Sequence, residues 1–365
     1  MNYWEQFKRA EINSKLLARL KANLTAVEGK VKIMEVCGTH TQAISQSGLR
    51  AVLPANIELL TGPGCPICVT PLSYIDTAVA LAQREDVIIV TFADLLKVPG
   101  SNSTLELEQA HGQNVKTVYS PLAAVKIAEN NPQQEVVFLA VGFETTAPVI
   151  ALSIIETQNK NLSNYSLLQG LKTMPPVMEK LVLEQQIDIA GFLCPGHVAS
   201  IIGAKPFQFL AKQYDLPAVV AGFETGDIIF ALQQIIEMIV RQKAEVSNAY
   251  PRVVSEKGNQ QALKVMDQVF SPAGSRWRGL GEIAASGLEL KPEYQEFAAE
   301  NKFSLTDRAD KTVVKSGCSC GEILMGIKQP PACQLFGTEC TPSHPVGPCM
   351  VSQEGSCRAY YLYKV

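Results

Sequence analysis

The chain has 365 residues, 47% of them hydrophobic and 18% charged, with a formal net charge of −3. That length allows two or three domains with cores of their own, and the composition is ordinary for a globular protein. The near balance of charge excludes the basic footprint of a nucleic-acid binder, and no apolar run reaches the roughly 18 residues of a membrane span. The opening stretch, MNYWEQFKRAEINSKLLARL, mixes charges throughout and lacks the apolar core of a signal peptide, so the cytoplasm is the expected compartment.

Short apolar runs alternate with amphipathic segments through the front two-thirds. VKIMEV (31–36), IELLT (57–61), DVIIVTF (86–92) and VKTVY (115–119) read as strands, with helices over 71–84 and 121–130. A second set follows: strands EVVFLAVGF (135–143), IDIAGFL (187–193) and PAVVAGF (217–223), with helices near 145–158, 174–186, 197–212 and 227–241. This rhythm predicts an α/β protein with parallel sheets. VGFETT (141–146) and AGFETGD (221–227) repeat one strand-to-helix turn within the second set. Beyond about residue 245 the pattern reads as helices and loops, ending in a cysteine-rich tail. The expected organisation is two parallel-sheet α/β domains, 31–130 and 131–245, and a mainly helical or irregular third built from 1–30 and 246–365.

Ten cysteines in a chain expected in a reducing compartment point to metal ligands or redox groups instead of structural disulfides. Six lie in the last 48 residues with the spacing C-x-C-x12-C-x6-C-x8-C-x7-C, namely Cys318, Cys320, Cys333, Cys340, Cys349 and Cys357. The tail lacks paired C-x2-C zinc knuckles and the C-x2-C-x2-C run of bacterial ferredoxins. An iron–sulfur cluster is favoured over zinc, with four ligands and two thiols left over.

Ligands in open parallel sheets gather beyond the carboxyl ends of strands, where Cys37, Cys65, Asp94, Glu144, Cys194–His197 and Glu224 all fall. Cys37 precedes a helix, whose dipole lowers a thiol pKa, and an imidazolium at His40 would lower it further. Such a thiolate serves as nucleophile or soft metal ligand. GPGCPIC places Cys65 and Cys68 three apart in a Gly/Pro-fixed loop, as a disulfide-forming pair or as two ligands. Asp94, with Lys97 nearby, is a candidate proton shuttle or a helix cap; Glu144 and Glu224 are equally caps or buried hydrogen-bond partners. Cys194 and His197 are weaker candidates for the same cleft, and His111 and His344 read as surface residues. Phosphate-binding loops, dinucleotide fingerprints, the hydrolase G-x-S-x-G elbow and the radical C-x3-C-x2-C spacing are all absent.

Together CGTHT (37–41), TGPGCPICVTP (61–71), TFADLLKVPGS (91–101), VGFETTAP (141–148), CPGHV (194–198), AGFE (221–224) and the tail resemble the HypD family of hydrogenase maturation proteins, from about Cys37 to the C-terminus. The resemblance implies a redox-active scaffold, between enzyme and carrier, for the Fe(CN)2CO group of [NiFe]-hydrogenase. It implies HypC and HypE as partners, with the hydrogenase large subunit reached through HypC. It further implies a [4Fe–4S] cluster on Cys318, Cys333, Cys340 and Cys357, a redox disulfide between Cys320 and Cys349, and iron on Cys37. His40 and the Cys65/Cys68 pair would line the iron cleft, the pair as a redox dithiol or as an auxiliary ligand. The alternative function is an iron–sulfur thiol–disulfide reductase resembling ferredoxin:thioredoxin reductase.

Overall fold

The computed structural model describes residues 3–184, 186–305 and 317–364. Eleven strands are formed among them: β1 (Val31–Glu35), β2 (Ile57–Thr61), β3 (Val87–Thr91), β4 (Val115–Thr117), β5 (Glu135–Gly142), β6 (Tyr165–Leu171), β7 (Gly191–Pro195), β8 (Ala218–Ala221), β9 (Val246–Asn248), β10 (Phe270–Trp277) and β11 (Gly281–Leu290). Nine make two parallel sheets, in the orders β2-β1-β7-β8-β9 and β4-β3-β5-β6, and β10 with β11 forms an antiparallel hairpin. The chain is therefore α/β, with a helical and irregular cysteine-rich end.

Successive strand residues serve opposite faces. Ile33 and Leu59 enter the core beneath the helices on one side of the first sheet, while Met34 and Leu60 enter a second core on its other side. Val87 and Ile89 of the second sheet share that second core, and Ile88 and Val90 face away into a third. One apolar mass thus joins a face of each sheet. Strands buried on both faces explain the near-continuous apolar runs in the sequence.

The strands do not group in chain order. β1 and β2 pair with β7 to β9, and the second sheet is formed wholly from the intervening chain, so sheet membership cuts across the expected boundary at 130/131. Hydrogen bonding chose this arrangement: Ile33, Met34 and Glu35 of β1 stand in register with Gly191, Phe192 and Leu193 of β7. The N-terminal helix Tyr3–Leu24 packs on the first sheet's helical layer, where Leu20 and Leu24 bury against Ile228, Leu232 and Ile235 of the helix Thr225–Val240.

Four further corrections concern local structure, two of them strands the pattern did not signal. β6 lies in a stretch without alternation, and β10–β11 has Pro272, Gly274 and Ala285 where β-branched residues would have signalled strands. Both are stabilised from outside: β6 pairs along its whole length with β5, and the hairpin is anchored by Trp277, which stacks on Phe143 and donates from Nε1 to Ser286 at 2.8 Å. The strand read at 187–193 begins only at Gly191, and the helix read over 197–212 breaks into Gly196–Ile202, a short turn and Phe209–Tyr214.

Candidate functional site

Parallel pairing brings the carboxyl ends of β1, β2, β7 and β8 to one edge of the first sheet. Cys37 sits there, buried, as the cap residue before the helix Gly38–Gln46. The loop after β2 lies directly on it: Gly64 accepts from the Gly38 N–H at 3.0 Å, and a Cβ on Gly64 would collide with the Cys37 backbone nitrogen. Only glycine permits that approach. Cys65 and Cys68, further along the loop, are joined as a buried disulfide with their Cα atoms 5.3 Å apart.

Below the Cys37 turn lies a carboxyl that no sequence motif singles out. Glu35 is fully buried, accepts the Cys37 N–H at 3.1 Å on one oxygen and the Thr41 hydroxyl on the other. Burial pushes its pKa up to about 8 despite those bonds. Cys37 itself is pushed up to about 12, chiefly by burial, with the negative charges of Glu354 and Glu35 adding to it. The backbone N–H groups of His40 and Thr39 oppose this and lose. The expected low-pKa thiolate is thus absent: desolvation outweighs the end of a nine-residue helix. His40 is likewise driven down to about 4 by burial, so no imidazolium stands beside the thiol at neutral pH. Its Nε2–H donates to the Gly222 carbonyl at 2.9 Å, leaving Nδ1 as a buried lone pair with no hydrogen-bond partner among the described residues.

An aromatic stack ties β8 to this turn. Phe223 lies 4.7 Å from the His40 ring on one side and 3.9 Å from the His197 ring on the other. Thr39 donates to Glu354 of the tail at 2.7 Å and lies 3.4 Å from His197 Nδ1. Asp94, exposed on the turn Ala93–Leu95, is near enough to Glu354 to add to the rise that burial gives that carboxyl. Lys97 is exposed and pairs with Glu106.

Other strand-end candidates fall elsewhere. Cys194 is fully buried in the core, its thiol driven up by desolvation. Glu144 accepts the Met174 N–H at 2.8 Å at the start of the helix Met174–Glu184, and Glu224 caps Thr225–Val240 with Asp227 in reciprocal position. Both are helix-end residues. His344 is exposed in a tight turn, bonding Thr341 and Ser343, and His111 is an exposed helix end.

All six tail cysteines line one small chamber with a free volume of about 10 Å³, walled by Ile323, Leu335, Phe336 and Met350. Cys320 is flanked by the sulfurs of Cys318 and Cys349, and Cys349 also reaches Cys357. The neighbours Cys318 and Cys349 hold Cys320 well below the ordinary thiol range and are themselves driven up. Val346 N–H donates to the Cys340 sulfur at 3.3 Å. Among the described residues no three His, Cys, Asp or Glu side chains converge on a single-ion position. Glu35, Phe223 and Glu354 were not expected at the site. The only signal for Glu35 was a charge inside an apolar strand two residues before Cys37; Glu354 carried none.

Strand-end thiols against a disulfide loop, with a thiol-lined chamber formed by the tail, mark an α/β protein whose cysteines gather at two places. The chain matches the family model described as HypD: Hydrogenase formation hypA family over residues 11–364. It is 40% identical over 372 residues to the hydrogenase maturation factor HypD2 of Bradyrhizobium diazoefficiens, covering all of this chain and 97% of that protein. It is 40% identical over 371 residues to HypD of Rhizobium leguminosarum bv. viciae and 39% over 371 to HypD of Cupriavidus necator, again covering all of this chain and 96% and 97% of theirs. The chain belongs to the HypD family of hydrogenase maturation factors. No helix among the described residues is long and apolar enough to cross a membrane.

Proposed function

We propose that this chain is the scaffold on which the Fe(CN)2CO group of [NiFe]-hydrogenase is assembled, with iron held by Cys37 and with HypC and HypE as partners. The observation that carries this reading is the Cys37 turn. A thiol pushed up to about 12 is inert alone, yet a soft metal ion displaces its proton outright on binding. The site therefore favours a thiol that is silent when empty and a thiolate when loaded. The turn needs no charged side chain for this, because the Thr39 and His40 backbone N–H groups already point at the sulfur.

The tail chamber suits a [4Fe–4S] cluster: its donors are all thiols, its walls are apolar, and a backbone N–H reaches a sulfur. Cys318, Cys333, Cys340 and Cys357 would hold the cluster, leaving Cys320 and Cys349, which are in contact, as a redox pair. When bound, such a cluster supplies single electrons. Cys65 and Cys68 act as a redox dithiol beside Cys37, while His40 and Asp94 line the base and rim of the cleft. The reductase alternative is disfavoured by burial, since Cys65 is 3% exposed and Cys68 not at all, out of reach of a general protein disulfide.

Infrared spectra of the protein isolated with HypC and HypE test the reading. Cyanide and CO stretches are expected in the wild-type complex and lost in Cys37→Ala. Bands of unchanged intensity in that variant would overturn the role of Cys37, and loss of acid-labile sulfide in Cys333→Ser is expected for the chamber.

A further inference from the structure

A cleft of about 340 Å³ lies between the helix Leu72–Ala82, the end of β6 and the β10–β11 hairpin, and it shares no lining residue with the tail chamber. That volume is of the size that takes a small molecule. Its walls are mostly polar, which suits a polar occupant. Lys172, the residue after β6, lines the cleft and is only 3% exposed.

The Lys172 ammonium has three protons to place. Two go to Ser275 Oγ at 2.8 Å and to the Arg276 carbonyl at 2.7 Å. The Trp277 ring lies 5.5 Å from Nζ, and among the described residues no carboxylate pairs with it. Burial drives the group down to about 7, and the Coulombic pull of Glu282 does not offset that. A buried cation without a counter-ion is costly, and a bound anion would remove the cost.

The surroundings favour negative charge as well. Arg276 lines the same cleft, partly exposed, and its ion-pair partner Glu282 stands 3.9 Å away and faces solvent. On the opposite wall the helix Leu72–Ala82 begins with neither a side-chain cap nor an acidic residue in its first turn, so its dipole adds positive potential. The buried carboxyl, Glu300, is already committed. Its oxygens accept the Gln169 N–H at 2.8 Å and the Gln169 amide at 3.2 Å, and burial pushes it toward its neutral form. Tyr74 donates its hydroxyl to the Leu168 carbonyl at 2.9 Å.

We propose that this cleft binds a small oxyanion, the carboxylate or phosphate group of a metabolite, held between Lys172 and Arg276. The anion pairs with the protonated form of Lys172, so affinity is full below about 7 and falls as pH rises above it. The other charged or titratable groups facing Lys172 are Arg276 and Glu282 of the hairpin, Tyr74 of the helix, and Glu300.

Isothermal titration calorimetry of the full-length protein tests this with two probes, sulfate standing for a phosphate group and malonate for a carboxylate. Each is compared with sodium chloride at equal ionic strength, and neither probe titrates between pH 7 and pH 8.5. At least one should bind saturably at pH 7, and the preferred one tells phosphate from carboxylate recognition. Arg276→Gln keeps the carbonyl that holds Lys172 and should weaken binding about tenfold; Lys172→Met should weaken it at least as much. Wild-type affinity should fall about tenfold from pH 7 to pH 8.5. Binding no stronger than chloride, or unchanged affinity in either variant, overturns the site, and an affinity independent of pH overturns the role given to Lys172. Should Lys172→Met not fold, Arg276→Gln decides alone, since its side chain is partly exposed.

Discussion

Replacing Glu35 by Gln should change how the stability of this protein depends on pH. Glu35 is fully buried beneath Cys37, and burial lifts its pKa from 4.5 to about 8. A carboxyl raised on folding stabilises the fold fully below its unfolded pKa, and that contribution is lost as pH rises through about 8. At about 1.4 kcal/mol per unit, the shift sets a ceiling of roughly 5 kcal/mol, of which about 3 kcal/mol falls between pH 6 and pH 9. Gln is nearly isosteric, and its carbonyl can keep the Cys37 N–H. Its amide can donate to the Thr41 hydroxyl, which turns to the Cys37 carbonyl 3.3 Å away. Other buried groups titrate over the same range, among them Glu144, raised to about 7, so the slope of the wild type alone does not isolate Glu35. Urea unfolding of both proteins at pH 6 and pH 9, followed by circular dichroism, does so by difference. The wild type should lose about 3 kcal/mol more than Glu35→Gln over that interval. Equal losses would refute the reasoning and mean that Glu35 is ionised throughout, held by its two donors.

Gly64→Ala should destabilise by about 1–3 kcal/mol and displace the Cys37 turn, because its Cβ meets backbone that cannot yield; urea midpoints and iron retention report the two effects. Leu20→Ala, at a fully buried contact with the helix Thr225–Val240, should cost about 2–5 kcal/mol and speed hydrogen exchange across the N-terminal helix. Lys172 is buried and lowered to about 7 by desolvation, so its part of the stability is lost as pH falls from about 10.5 through 7. Lys172→Met should flatten the stability profile across that window, although it forfeits bonds to Ser275 and the Arg276 carbonyl.

The candidate site's cysteines and glycines were legible because they sit in short, dense motifs. CGTHT, GPGCPIC and the tail spacing each hold their special residues within a few positions, and local chain geometry keeps such neighbours together. The parallel strands were legible for a similar reason: runs buried on both faces, such as VIIVT, can be little else at that length. β6 and the hairpin were not: β6 depends on pairing with β5 about thirty residues earlier, and the hairpin's strands, though neighbours, are built from residues of weak strand preference.

The amino-acid sequence by itself determined which groups could do chemistry: the thiols, the glycines that let backbone approach them, and the strand ends that display them. Tertiary structure decided their state. Whether Cys37 is a thiol or a thiolate depends on desolvation, which falls on it only when β2, the GPGC loop and Glu354 close around it. Which strands share a sheet was likewise settled by long-range pairing, β1 with β7 across the whole second sheet. Burial and non-local hydrogen bonding depend on what arrives from distant parts of the chain, and no local pattern encodes that.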